Sequence, residues 1–318
     1  MSNSKSNIVC LGSIMCDLMC YAPRLPKPGE SLPGCSVVPG NGGKGANSAV
    51  AAARLGGNVS LIGKIGNDNI AQGILNSLKQ MNINSEYVYQ TSQETTGTAV
   101  IIVEKNGENR IIVASGANLL LTMEEVTQAE NTIKNCKVFV CNFESNMEAA
   151  KMGLKIAHEH GVKTIVNAAP AVPNPDVEFY TLSTIFCVNE TEALFNLQAE
   201  ITTGMTAPET SYEEMVAALL KRGCKNVIVT RGENSILLAT ENNPNCVLIS
   251  APKVTAVDTT GAGDAFVGGL AYYIANHENL TLNEQIRRAA FYASDSVQRP
   301  GTQSSYAMKN ELPSQLFD

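Results

Sequence analysis

Six short apolar runs, at residues 8–12, 59–62, 138–141, 164–167, 185–188 and 227–230, recur along the chain with helix-periodic stretches between them. Runs this short and without polar alternation are the pattern of strands buried on both faces, and such strands belong to parallel sheets covered by crossover helices. The intervening stretches supply those helices. Ile70, Ile74, Leu75, Leu78 and Met81 fall on one helical face, and Met215, Ala218 and Leu219 on another. Thr122 with Glu125, and Ser211 with Glu214, have the spacing of capping boxes that start two such helices. The alternation predicts an α/β chain with a mostly parallel sheet between helical layers.

One interval breaks the rhythm. Residues 98–103 and 110–114 flank Asn106-Gly107, which signals a hairpin rather than a strand-helix unit. With the proline- and glycine-rich stretch 21–39, it predicts a small antiparallel sheet beside the main one. At 318 residues and 44% hydrophobic content there is ample chain to bury a core. The net charge of −7, with no basic block, argues against nucleic acid or an anionic membrane surface as partner. Residues 1–7 are polar, and the apolar stretch that follows is broken by Gly12 and Asp17, so neither a secretory signal nor a spanning helix is expected. The nine cysteines form no C-x-x-C pair and there are only three histidines, which makes a structural zinc site improbable. Reduced thiols in the cytosol are the default expectation, with the nucleus as a further compartment.

Chemistry concentrates in two glycine-rich strings. Asp258-Thr259-Thr260-Gly261-Ala262-Gly263-Asp264-Ala265-Phe266 sets a tight turn between two aspartates and then enters an apolar, helix-competent run. The amides at the start of that helix would face an anion, for which phosphate is the natural occupant. Asp264, behind those amides, could accept a proton from an alcohol beside the phosphate. Nearer the N-terminus, Gly42-Gly43-Lys44-Gly45-Ala46-Asn47 opens an alanine-rich run and brings donors and an acceptor suited to hydroxyls. Asn189-Glu190-Thr191-Glu192 ends one apolar run, and the string suits either a capped helix start or a cation-organising element.

Both glycine strings, and the order of the elements around them, resemble the PfkB family of ribokinase-like carbohydrate kinases, and the resemblance runs from Gly12 to Ser305. It implies a three-layer sandwich built on a central, mostly parallel sheet from residues 1–16, 42–95 and 117–318. A small antiparallel β lid from residues 17–41 and 96–116 would cover the sugar and form a homodimer surface. The implied reaction moves the γ-phosphate of ATP to the 5-hydroxyl of D-ribose, because residues 42–47 are closer to ribose-using members than to fructokinase-like or adenosine kinase-like ones. A nucleoside kinase is the alternative within the fold.

In that resemblance Asp264 is the base, and the amides of Gly261, Ala262 and Gly263 meet the transferred phosphate and the nucleotide. Asp17, Gly43, Lys44, Asn47 and Glu144 bind the sugar together with Asp264. Asn189, Thr230 and Gly232 meet the nucleotide phosphates, and Asn189 with Glu192 organises Mg²⁺ through water. Asp258, Thr260, Ser296, Arg299, Gly301 and Ser305 fall where the family builds a K⁺ site. Two departures stand out. Met15 occupies a position where many bacterial relatives carry Asn, which removes one expected sugar contact. Glu233-Asn234-Ser235 stands where relatives usually have a second glycine. A dinucleotide oxidoreductase is disfavoured because no G-x-G-x-x-G follows residues 8–11. A silent sugar-binding protein would be expected to lose Asp264 or the glycines while keeping Asp17 and Asn47, and this chain retains all of them.

Overall fold

The apolar runs become interior strands of one large sheet in the computed structural model, which describes residues 6–105, 109–197 and 211–318. In chain order the strands are β1 (Ile8–Leu11), β2 (Met15–Ala22), β3 (Ser36–Gly42), β4 (Val59–Gly66), β5 (Asn84–Thr91), β6 (Gly97–Glu104), β7 (Asn109–Ala114), β8 (Val138–Asn142), β9 (Lys163–Asn167), β10 (Ile185–Asn189), β11 (Asn226–Thr230), β12 (Ile236–Thr240) and β13 (Asn243–Ile249). Among the described residues a nine-stranded sheet runs β13-β12-β11-β10-β9-β8-β1-β4-β5, and a four-stranded sheet runs β3-β2-β6-β7. From β11 across to β5 every neighbouring pair is parallel. The β12 and β13 edge is antiparallel. The link from Thr230 to Ile236 is too short for a crossover, so β12 can only turn back along β11.

Alternate side chains of the large sheet feed two separate cores. Cys10, Leu61, Val140, Ile165, Cys187 and Ile228 face one of them. That layer holds helices α1 (Lys44–Arg54) and α2 (Asn69–Gln80) from the first part of the chain. Leu11, Ile62, Cys141, Val166, Val188 and Val229 face the other core, which holds α3 (Met123–Gln128), α4 (Glu130–Lys134), α5 (Met147–Glu159), α6 (Glu178–Thr181), α7 (Glu190–Asn196) and α8 (Tyr212–Lys221). Helices α9 (Ala262–Asn276) and α10 (Leu282–Ser296) return to the first face. Both expected capping boxes form, at Thr122–Glu125 and Ser211–Glu214. On α2 the buried stripe is Ala71, Ile74 and Leu78, which leaves Ile70 39% exposed, one position off the expected face.

The smaller sheet consists of two antiparallel pairs, β2 with β3 and β6 with β7, joined along a parallel β2–β6 seam. The Asn106-Gly107 turn lies outside the described residues, but the strands on either side of it pair antiparallel down to Val103 and Asn109. Asn118 is buried and fastens this sheet to the larger one. Its Oδ1 accepts from the Ile14 amide at 2.8 Å, and its Nδ2 donates to the Ile14 and Ser115 carbonyls. Among the described residues no helix is long and apolar enough to cross a membrane.

Candidate active site

The parallel strands all end at one edge of the large sheet, and polar residues follow each of them: Ser13 after β1, Glu144 after β8, Asn167 on β9, Asn189 on β10 and Thr230 on β11. Ligands of open α/β sheets collect at that edge. Helices α1 and α9 both start there. They pack closely because Gly268 lies against the Ser48 carbonyl, where a Cβ would collide. That approach lets Asn47 of α1 reach Asp264 of α9.

Asp264 is 5% exposed and is gripped from two directions. Asn47 Nδ2 donates to its Oδ2 at 2.9 Å, and Asn167 Nδ2 donates to its Oδ1 at 3.3 Å. Burial pushes the carboxyl above the usual range, and the Lys44 ammonium is the strongest group opposing that rise. Gly261 caps the helix with φ +76°, a conformation that side chains rarely adopt. A Cβ there would strike Thr302 and lie 2.7 Å from the Tyr306 hydroxyl, which donates to the Gly261 carbonyl at 2.9 Å. The Ala262 amide donates to Thr259 O at 3.2 Å. Gly261 and Gly263 line the cavity beside Asp264, whereas Ala262 lines the neighbouring groove.

Lys44, the first residue of α1, sits among carboxylates. Asp264 is the largest influence holding its ammonium above the ordinary value, burial opposes, and Glu144, Glu192 and Asp17 add to the rise. Its neighbour Gly43 adopts φ +88°, and a Cβ there would meet the Ser13 carbonyl at 2.6 Å, so glycine is required on both counts. Glu144 is fixed by the Ser13 hydroxyl at 2.5 Å and by the Lys44 amide at 3.1 Å. Asp17, on the central seam of the smaller sheet, is 8% exposed. Its carboxyl is pushed up to about 6, first by burial and then by Glu144 and Asp264, with Thr302 and Lys44 opposing. Buried acceptors of this kind suit a ligand with several hydroxyl donors.

A polar cavity of about 160 Å³, lined by Lys44, Asn167, Asn189, Glu192 and Asp264 among others, shares Thr230 and Gly263 with a groove of about 360 Å³. The groove is lined by Gly232 and by Val254, Ala256, Ala290 and Ala293 among others. A polar chamber that opens into an apolar slot suits a phosphate chain ending in a flat ring. Asn189 and Glu192 form a capping box, each taking the other's amide at 2.8 Å, and both also face the cavity. Burial is the main cause raising the Glu192 carboxyl, with the Asn189 amide and Lys44 opposing.

The residues expected around K⁺ gather behind the anion-facing turn. The two oxygens of Asp258 accept the Thr260 and Gly301 amides at 2.9 and 2.8 Å, which ties the 258–260 loop to residue 301. Ser296 is buried and its hydroxyl donates to Ala293 O at 2.8 Å. The Arg299 guanidinium bonds the Asp295 carboxylate and the Ser305 carbonyl, and the Ser305 hydroxyl donates to Thr302 O at 2.8 Å. The loop is rich in carboxylate, carbonyl and hydroxyl oxygens, and Arg299 could offer a cation only its backbone carbonyl, because a guanidinium has no acceptor. Among the described residues there is no cluster of three or more His, Cys, Asp or Glu able to hold a metal ion.

Several site residues escape the sequence reading. Asn167 ends an apolar run and follows the same strand-end rule that marks Asn189 and Glu144, so it was within reach. Ser13, Thr302 and Gln303 sit in loops with no distinctive composition. The groove is built from small apolar residues that carry no motif.

Comparison with known proteins adds the family context. The family model described as pfkB family carbohydrate kinase matches residues 5–309. The chain is similar to a mouse protein named ribokinase, 44% identical over 98% of this chain and 94% of that one. It is similar also to a Salmonella typhi protein named deoxyribokinase, 36% identical over 94% of this chain and 95% of that one. Among solved structures it resembles Arabidopsis thaliana ribokinase complexed with ribose and ATP, at TM-score 0.83 and 28% identity, over 96% of both chains.

Proposed function

Since the chain belongs to the pfkB family of carbohydrate kinases, we propose that it is an ATP-dependent ribokinase, moving the γ-phosphate of ATP to the 5-hydroxyl of D-ribose to give ribose 5-phosphate and ADP. The observation that carries this reading is the Asp264 carboxylate, clamped by Asn47 and Asn167 next to the amides of a helix N-terminus. The ribose O5–H gives its proton to Asp264 while O5 bonds to the γ-phosphorus and the bond to the bridging β–γ oxygen breaks. A carboxyl raised by burial is a better base, and the Lys44 ammonium beside it opposes the rise. The Gly261 and Gly263 amides, the Ala262 turn between them and Lys44 balance the charge of the moving phosphoryl group.

Asp17, Glu144, Asn47 and the backbone at Gly43 and Lys44 receive the remaining sugar hydroxyls. Thr230 and Gly232 meet the nucleotide phosphates, and the adenine occupies the apolar groove. Mg²⁺ bound with ATP would neutralise phosphate charge, and Asn189 with Glu192 suits it through water, since both face the cavity. The cation loop of Asp258, Thr260, Ser296, Arg299, Gly301 and Ser305 would take K⁺. The smaller sheet, from residues 17–41 and 96–116, acts as the lid.

Val37 and Val38 on β3 and Ile111, Ile112 and Val113 on β7 are exposed on the edge strands of that lid, which supports a homodimer built through it. All nine cysteines are free thiols, as suits the reducing cytoplasm. Steady-state ADP release with Mg·ATP against ribose, 2-deoxyribose, fructose and adenosine, with and without K⁺, tests the reading. It expects ribose-dependent turnover stimulated by K⁺. Turnover with adenosine alone would move the assignment to a nucleoside kinase, and preference for 2-deoxyribose would redirect it toward the deoxyribokinase-like relatives.

A further inference from the structure

Gln303 has no part in the chemistry above, yet it is 7% exposed and lies on the turn that closes over the site. Its Nε2 donates to Asn47 Oδ1 at 3.0 Å, and Asn47 Nδ2 in turn donates to Asp264 Oδ2 at 2.9 Å. A primary amide presents an acceptor on one side and donors on the other, so Asn47 can face Asp264 in two ways. Turned round, it would set its oxygen against a buried carboxylate, two acceptors with no proton between them. The Asp264 carboxylate favours the productive direction, and a second partner on the far side of the Asn47 amide reinforces it. The donor of Gln303 is that partner, because only an amide oxygen can receive its proton.

Gln303 is itself well anchored. On one side the Gly301 amide bonds Asp258 at 2.8 Å, and on the other the Tyr306 hydroxyl bonds the Gly261 carbonyl at 2.9 Å. One segment therefore braces the anion-facing turn and orients the partner of the base. We infer that Gln303 is a positioning residue for phosphoryl transfer: it holds the Asn47 amide donor-first against Asp264 and so keeps the base hydrogen-bonded and aimed. The inference rests on Asp264 acting as the base. The charged and titratable groups that face Asp264 are Lys44 from the start of α1, Glu144 from the loop after β8, Glu192 from α7, Asp17 from β2 and Tyr306 from the closing segment. All of them stay in place when Gln303 is changed.

The test is a double-mutant cycle read by kcat and its pH profile. Gln303→Met keeps length and bulk without the donor. It should lower kcat about tenfold or more, the scale of one hydrogen bond to a charged group. It should also move the acid limb to higher pH and leave KM for ATP within about twofold. If Gln303 works through Asn47, adding Gln303→Met to Asn47→Ala changes kcat by less than about twofold. Losses that multiply in the double variant, or an unmoved acid limb in the single one, overturn the inference. Should Gln303→Met fail to fold, Gln303→Leu removes the same donor without adding a charge; an acid limb at the wild-type pH overturns the inference. Absence of wild-type turnover removes the ribokinase reading and this inference with it, whereas wild-type turnover with multiplied losses removes the inference alone.

Discussion

Replacing Asp17 by Asn should strengthen the ligand-free protein while crippling its use of ribose. The Asp17 carboxyl is held at about 6 against an ordinary 3.8, with burial first and Glu144 second among the causes. That difference corresponds to about 3 kcal/mol at about 1.36 kcal/mol per pH unit. The sign follows from linkage: the folded state binds this proton more tightly than the unfolded state, so above the unfolded value folding must strand an ion. Wild-type stability from this group is therefore full below about pH 4, falls as pH rises toward 6, and stays reduced above it. Asn carries no such cost but gives up some of the bond from Thr302, worth about 1 kcal/mol, which leaves a gain of about 2 kcal/mol at pH 7.5. For a chain of 318 residues that is a rise of about 3 °C in Tm. Scanning calorimetry of both proteins without ligand, from pH 4.5 to 8, should show the gap opening as pH rises. KM for ribose should climb at least about a hundredfold, because two charge-assisted bonds to hydroxyls are lost. A variant less stable than wild type at pH 7.5, or a gap that does not change with pH, would refute the electrostatic account of this site.

Three further outcomes follow from the geometry. Gly261→Ala forces a side chain into a φ of +76° against Thr302 and the Tyr306 hydroxyl, and should cost about 2–4 kcal/mol by thermal unfolding and at least about a hundredfold in kcat; wild-type values for both would show that the turn tolerates a Cβ. Lys44→Met removes the strongest group holding Asp264 down, so the acid limb of the kcat profile should move to higher pH as kcat falls. An acid limb that stays put would remove Lys44 from that role. Ile112→Arg places a charge on a position that is 70% exposed on the edge strand β7; under the proposed pairing of lids, light scattering should find the wild type as dimers and the variant as monomers, and equal masses would remove that pairing.

Much of this was legible in the chain because the physics is local. Apolar runs of strand length between helical stretches read as interior parallel strands, and the glycine strings read as helix starts. What escaped depends on long-range approach. The parallel seam between β2 and β6 joins segments roughly eighty residues apart, and no local pattern distinguishes it from an antiparallel one. Ile70 reads as part of an apolar face, yet the register of α2 against the sheet puts Ala71 inward in its place. The capping-box reading of Asn189 and Glu192 holds, and the same pair of side chains also borders the cavity. The apolar groove and Gln303 left no trace, because small side chains and a loop glutamine acquire meaning only from what they touch.

The measurement closest to the central claim is NMR identification of the product formed from D-ribose and Mg·ATP by the wild-type protein, run beside Asp264→Asn, with ribose binding by both followed calorimetrically. The account predicts a phosphate ester on the C5 oxygen from the wild type, and from the variant a rate lower by several orders of magnitude with ribose binding retained. A phosphate on another hydroxyl, or comparable turnover by the variant, would contradict it.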